Sequence, residues 1–192
     1  MIGCEIKLLI TDFDGTLVDT FKANYLAYQK AFQEVGLSLK EDFYKTCFGF
    51  RFDEFMKTAG VDSIDVARRI KLLKAEYYPT FFSHLKVNQP LVALLKSFKN
   101  SGGKTAIAST ARRTNLEKAL VYCHCFNLFD LILAGEEVKE GKPAPEIYQT
   151  VLSRFSVGPS QALVFEDSLV GIQAAESAGI NYITINPSYY GD

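Results

Sequence analysis

Ile6-Lys7-Leu8-Leu9-Ile10-Thr11-Asp12-Phe13-Asp14-Gly15-Thr16 is a short apolar run, rich in residues that favour β structure, that stops abruptly in a polar turn containing a glycine. That pattern reads as a buried strand delivering two carboxylates, Asp12 and Asp14, to its C-terminal end. The far half of the chain repeats the theme. Leu91, Leu94, Leu95 and Phe98 recur at helical spacing, and Ser101-Gly102-Gly103 closes that helix. Thr105–Ala108 reads as a strand ending at Ser109-Thr110. A helix from about Thr114 to Cys125 follows, and then a strand over Leu131–Leu133. Pro143-Ala144-Pro145 opens a helix carrying Ile147, Val151 and Leu152 on one face. Ala162–Phe165 reads as a strand ending at Glu166-Asp167. Ser168 then caps a helix through Ala178 that Gly179 stops, and Tyr182–Ile185 makes a last strand. Strands alternating with single helices imply right-handed crossovers and a parallel sheet covered on both faces, a doubly wound α/β fold.

Residues from about Thr20 to His84 break the alternation. Tyr25, Tyr28 and Phe32, then Phe52, Phe55 and Met56, then Ile70, Leu73 and Tyr77 follow helical periods, with no clear strand. A structureless loop of that length inside a compact domain is improbable, so the stretch reads as an all-helical insertion. The expected organisation is an α/β core built from 1–17 and 85–192 with a helical cap over 18–84.

In open α/β sheets ligands bind at the C-terminal ends of the strands, where the strand order reverses. The fold reading therefore places Asp12, Asp14, Ser109, Thr110, Glu166, Asp167 and the loop residue Lys142 on one rim. Three or four converging carboxylates repel one another unless a cation sits among them. Hard oxygen donors, few of them from protein, suit Mg²⁺ together with a substrate phosphate. Lys142, a hydroxyl and exposed backbone N–H groups hold the remaining phosphate charge. A carboxylate so placed is a competent nucleophile toward phosphorus. Each cluster alone has a plainer reading: Asp-x-Asp as a solvated turn, Ser-Thr as an N-cap, Glu-Asp as helix-start charge. Their joint appearance at strand ends favours chemistry.

Asp12-Phe13-Asp14-Gly15-Thr16-Leu17-Val18-Asp19 resembles the first signature of the haloacid dehalogenase superfamily. Ala108-Ser109-Thr110 resembles its second, Lys142-Pro143-Ala144-Pro145-Glu146 its third, and Glu166-Asp167-Ser168 with Gly171-Ile172 and Ala174-Ala175 its fourth. The pattern spans nearly the whole chain and is most similar to the phosphoglycolate phosphatase and β-phosphoglucomutase branch, whose small helical cap follows the first strand. The resemblance implies Asp12 as nucleophile and Asp14 as general acid and then base. It implies Ser109 as phosphoryl ligand, with Thr110 beside it, and Lys142 as the partner of both nucleophile and phosphoryl group. It implies Mg²⁺ held by Asp12, the Asp14 carbonyl and Asp167, with Glu166 acting directly or through water. Dehalogenases of the superfamily lack the second aspartate and need no metal, so Asp14 argues for phosphate chemistry. Mutases of the branch carry a cap-hinge histidine where this chain has Asn24, which favours hydrolysis over phosphoryl transfer.

The expected function is hydrolysis of a small phosphomonoester through an aspartyl-phosphate. A sugar-phosphate mutase, or a binding protein on the same scaffold, stands as the alternative. Arg51 in the cap is a candidate for a substrate anion, with a solvated arginine near a helix start as its plainer reading. Arg112 and Arg113, after the phosphate-binding turn, are candidates for a second anionic group. Phe43, Phe52 and Phe55 read as core, and Asn186-Pro187-Ser188 as a turn.

Composition excludes other classes. Hydrophobic residues make up 48% and charged residues 22% of the 192 residues, ordinary for a globular protein. Twenty-one basic residues against 22 acidic ones, without a basic cluster, make nucleic acid a poor partner. The start carries charges where a signal peptide needs an apolar segment, and no stretch approaches the ~18 apolar residues of a membrane span, so a cytoplasmic address and no membrane partner are expected. A monomer is the default, with a dimer as the other option. Cys4, Cys47, Cys123 and Cys125 form no disulfide framework, and Cys123-His124-Cys125 matches no common zinc spacing, so reduced thiols on a helix are expected.

Overall fold

A computed structural model describes residues 5–186 and Tyr190. Cys4 and residues Pro187 and Ser188 of the expected final turn lie outside the described residues. The chain divides into two compact units, Met1–Asp19 with Lys86–Asp192, and Thr20–Leu85.

The first unit begins with β1 (Leu8–Thr11), whose four residues are all buried, as befits a strand covered on both faces. After the Asp12–Leu17 turn comes β2 (Val18–Asp19). The chain then builds the second unit from α1 (Phe21–Glu34), α2 (Glu41–Cys47), α3 (Phe52–Thr58), α4 (Ile64–Tyr77) and a 3₁₀ turn, Tyr78–His84. Returning, β3 (Lys86–Val87) pairs antiparallel with β2. This ribbon stays with the first unit, so the division falls at 19/20 and 85/86 rather than at the 17/18 and 84/85 read from helical periodicity. Two-residue strands leave no periodic signal. Next come α5 (Gln89–Asn100), β4 (Lys104–Ala108), α6 (Arg113–Tyr122), β5 (Leu131–Leu133), α7 (Glu146–Phe155), β6 (Ala162–Glu166), α8 (Leu169–Ser177) and β7 (Asn181–Thr184).

Five strands form one parallel sheet in the order β5-β4-β1-β6-β7. The chain winds outward from β1 through β4 to β5, then returns to the other side of β1 with β6 and β7. The order therefore reverses at β1, and a crevice is expected at its C-terminal end. Leu8, Ile10, Ala106, Ala108 and Val164 of the sheet pack with Ile147, Tyr148 and Val151 of α7 and Ala174 and Ala175 of α8. The small alanines let α8 lie close to the strands.

The second unit has its own core. Tyr25, Phe32, Tyr44, Phe55, Met56, Ile70 and Leu73 are buried together, and the ring pairs Tyr28–Phe55 and Tyr44–Phe55 meet edge to face. Ser63 caps α4 by accepting from the Val66 N–H.

Two expectations are corrected. Phe43 is 37% exposed and so lies outside the core, at the margin of an apolar stripe that its neighbours complete. Helix α6 ends at Tyr122, and His124 adopts a left-handed φ of 55°, so Cys123-His124-Cys125 forms a turn after the helix. The Cys125 thiol donates to the Cys123 carbonyl, and burial pushes the Cys123 thiol up to about 12, far from the reactive thiolate range. No helix among the described residues is long and apolar enough to cross a membrane.

Candidate active site

Asp12 is the first residue past β1, and its N–H donates to the Phe165 carbonyl of the neighbouring β6, which holds the strand end in register. The turn that follows needs glycine at position 15: its φ is +91°, and a Cβ there would lie 2.2 Å from the Asp167 carboxylate. Asp167 itself comes from the end of β6. Its Oδ1 accepts from the Thr16 hydroxyl at 2.7 Å. Thr16 is in turn fixed by Asn88, whose Nδ2 donates to the Thr16 carbonyl at 3.2 Å while its Oδ1 caps α5 through the Leu91 N–H. Residues far apart in sequence thus lock the Asp12–Leu17 turn against the end of β6.

Lys142 reaches the centre from the loop before α7. Its Nζ donates to Asp12 Oδ1 at 2.6 Å, to Glu166 Oε1 at 2.5 Å and to the Ala108 carbonyl at 3.1 Å. Those three bonds use all three protons of the ammonium. Glu166 is fully buried. Its Oε1 also accepts from the Tyr148 hydroxyl at 3.0 Å, and its Oε2 accepts from the N–H groups of Asp167 and Ser168 and from the Ser168 hydroxyl. Gly171 makes the room, since a Cβ there would fall 1.9 Å from Glu166 Oε1.

The electrostatics follow from burying so many charges together. Burial pushes the Asp12 carboxyl well above the usual carboxylate range; Lys142 opposes this, while Glu166, Asp167 and Asp14 add to it. Burial likewise pushes Asp167 up to about 6, against the hydrogen bond from Thr16. Burial works against the charge on Lys142, but Asp12, Tyr148 and Glu166 outweigh it and hold the ammonium well above its ordinary value. Glu166 runs the other way. Burial raises it, yet Lys142 and the bonds from Ser168 and Tyr148 bring it below the usual range.

One ligand oxygen each from Asp12, Glu166 and Asp167 lies within 4.8 Å of the others, a spacing suited to a small cation. Hard oxygen donors of this kind fit a hard divalent cation. The hydrogen bonds divide the three: the five donors on Glu166 fill the roughly four lone-pair directions of a carboxylate, whereas Asp12 and Asp167 retain free acceptor capacity.

The remaining candidates are placed as follows. Asp14 is half-buried in the turn two residues beyond Asp12. Ser109 is fully buried just past β4, one residue after the Ala108 carbonyl that holds Lys142, and its Oγ accepts from the Ala111 N–H; Thr110 is half-buried beside it. Asn24 is buried in α1 and donates to the Thr20 hydroxyl at 3.0 Å. Arg51 is exposed at the start of α3. Arg113 is held by Glu117, Glu137 and the Ile132 carbonyl, and Arg112 lies 3.7 Å from Glu136, so both are engaged by the protein itself.

Thr16, Asn88 and Tyr148 had no role in the sequence reading. Tyr148 did leave a trace: a tyrosine on the same face as Ile147, Val151 and Leu152 buries a hydroxyl that must find a partner. Tyr190 is a further addition, its hydroxyl buried without a hydrogen-bond partner among the described residues. Burial raises its pKa, with Asp167, Asp19, Asp12 and Asp14 adding to the effect.

Known proteins share this arrangement of chain and sheet. The family model for haloacid dehalogenase-like hydrolases matches residues 9–185. A phosphorylated carbohydrates phosphatase of Thermotoga maritima is 33% identical over 183 residues, spanning 93% of this chain and 84% of the relative. Protein CbbY of Rhodobacter capsulatus is 32% identical over 199 residues, spanning 97% and 87%. The crystal structure of CbbY from Rhodobacter sphaeroides in complex with phosphate superposes with a TM-score of 0.82 at 26% identity, covering 93% of this chain and 85% of that one. With all four signature clusters gathered around a parallel sheet, the chain belongs to the haloacid dehalogenase-like hydrolase family.

Proposed function

We propose that this protein is a Mg²⁺-dependent phosphatase that hydrolyses a small phosphomonoester, of the phosphorylated-carbohydrate or phosphoglycolate kind, with Asp12 as the attacking group. The observation that carries the reading is the buried Asp12 carboxylate held at 2.6 Å by Lys142, with Asp167 close by at the end of β6. The relative named as a phosphorylated carbohydrates phosphatase supports the substrate class.

Asp12, Asp167 and the Asp14 carbonyl are the residues that would hold the cation, with Glu166 behind Lys142. When bound, Mg²⁺ screens the repulsion between an attacking carboxylate and the phosphoryl oxygens. Asp12 Oδ attacks phosphorus, the bond to the leaving oxygen breaks, and an aspartyl-phosphate forms. Asp14, half-buried and two residues on, donates a proton to the departing alkoxide and then takes one from the water that cleaves the acyl-phosphate. Ser109 and the N–H groups of its turn hold the phosphoryl oxygens. Asn24, in the position of the mutase histidine, spends an amide proton on Thr20. That supports hydrolysis over isomerisation.

Inorganic phosphate release from p-nitrophenyl phosphate and a panel of phosphometabolites tests the reading. Activity is expected with Mg²⁺, is lost with EDTA, and falls by more than about 10³-fold in Asp12→Asn. Undiminished release by Asp12→Asn sinks the proposal. A mutase would instead isomerise a sugar phosphate and need a bisphosphate activator.

A further inference from the structure

Among the buried residues of α7, Ile147, Tyr148, Val151 and Leu152, only Tyr148 carries a polar side-chain atom. Its hydroxyl meets Glu166 Oε1, the same oxygen that accepts from Lys142. Its ring lies under the ammonium, with Nζ 5.2 Å from the ring centroid, within cation–π range. Glu166 is therefore clamped from two sides: the Asp167 and Ser168 N–H groups and the Ser168 hydroxyl, just before α8, hold Oε2, and Tyr148 of α7 holds Oε1. Lys142 spans from that clamped carboxylate to Asp12.

We propose that Tyr148 is a positioning residue which, through Glu166, fixes the Lys142 ammonium against the Asp12 nucleophile, and that Glu166 serves the lysine rather than the cation. The role rests on the phosphatase reading above. Two observations distinguish it from core packing. A hydroxyl merely needing a partner could take any carbonyl, whereas this one joins the carboxylate that orients Lys142. And Glu166 accepts five donors where a carboxylate offers roughly four lone-pair sites, so a metal there would have to displace one of them. Without the Tyr148 hydroxyl, Glu166 Oε1 has one donor fewer and draws the ammonium away from Asp12, so that the attacking oxygen loses its alignment.

Tyr148→Phe keeps the ring and removes only the hydroxyl. With p-nitrophenyl phosphate and MgCl₂, kcat is expected to fall about tenfold to a hundredfold, the scale of a small misalignment. KM and the Mg²⁺ concentration for half-activation should stay within about twofold. The ¹⁵Nζ resonance of Lys142, identified by its loss in Lys142→Met, is expected to shift or broaden in Tyr148→Phe. A kcat within about twofold of wild type overturns the proposal. If the wild type itself releases no phosphate, the phosphatase reading fails, and the resonance alone decides the positioning: movement supports it and an unmoved signal overturns it. Should Tyr148→Phe not fold, Glu166→Gln takes its place. A lower kcat at an unchanged Mg²⁺ midpoint supports the lysine-serving role, and a midpoint raised about tenfold or more assigns Glu166 to the metal and overturns it.

Discussion

The two ends of the sheet carry mirror-image charge clusters. At the C-terminal end one lysine, Lys142, lies between two carboxylates, Asp12 and Glu166; at the other end one carboxylate, Asp130, lies between two lysines, Lys99 at 3.5 Å and Lys104 at 3.6 Å. The parts are alike in kind but inverted in number, and the aspartates move in opposite directions. Burial lifts Asp12 despite a lysine at 2.6 Å. Burial also pushes Asp130 upward, but the Thr105 N–H, Lys99 and Lys104 outweigh it and bring it below the ordinary value. The difference is water and company: the Asp12 side chain is 10% exposed and that of Asp130 22%, and Asp12 has Glu166, Asp167 and Asp14 around it where Asp130 has two lysines. A dry cluster concentrates charge that a substrate or cation can use, while a wet one fastens β4 to β5 through Thr105.

Breaking the dry cluster gives the largest expected effect. Lys142→Met leaves two buried carboxylates without their cation and should cost about 3–5 kcal/mol in urea denaturation with EDTA present. Added Mg²⁺ should return part of that loss, and a loss below about 1 kcal/mol contradicts the picture of a dry ion cluster.

Gly171→Ala disturbs the same cluster from behind. Its Cβ would meet a Glu166 carboxylate that five hydrogen bonds prevent from swinging aside, so a cost of about 1–3 kcal/mol is expected, together with weaker phosphate release. Wild-type stability and turnover in this variant would show that Glu166 moves freely.

The wet cluster should respond to pH instead. Asp130 has a folded pKa below its ordinary 3.8, so its contribution is present above 3.8 and is lost as pH falls through the lower folded value. Asp130→Asn is expected to cost about 1 kcal/mol at pH 7. Chemical denaturation at pH 7 and pH 3 should show that difference shrinking; a constant one removes the electrostatic account.

The smallest effect belongs to Lys104, whose side chain is 56% exposed. Lys104→Gln should change stability by less than about 0.5 kcal/mol, and half-molar salt should erase even that. A larger, salt-resistant change would mean that the two clusters differ less than their exposure suggests.

Much of the C-terminal cluster was legible because strand ends are legible. Apolar runs stopping at Asp12, Ser109 and Glu166 announce both a parallel sheet and the polar rim it creates. The members that went unread are those whose roles depend on a partner distant in the chain. Thr16 matters because Asp167, 151 residues away, accepts its hydrogen bond, and Asn88 because it bridges Thr16 to the start of α5. Phe43 was misjudged for the opposite reason: helical spacing marks an apolar stripe but not its edge.

Sequence alone determined the alternation of strands and helices, the helical insertion, and which side chains arrive at the strand ends, since all of these are set by local periodicity and turn chemistry. Only the tertiary structure decided how the charges are shared. Lys142 spends its three protons on Asp12, Glu166 and Ala108, and Glu166 faces Tyr148 and the start of α8, because burial forces each buried donor and acceptor to find its match among whatever the packed helices bring near.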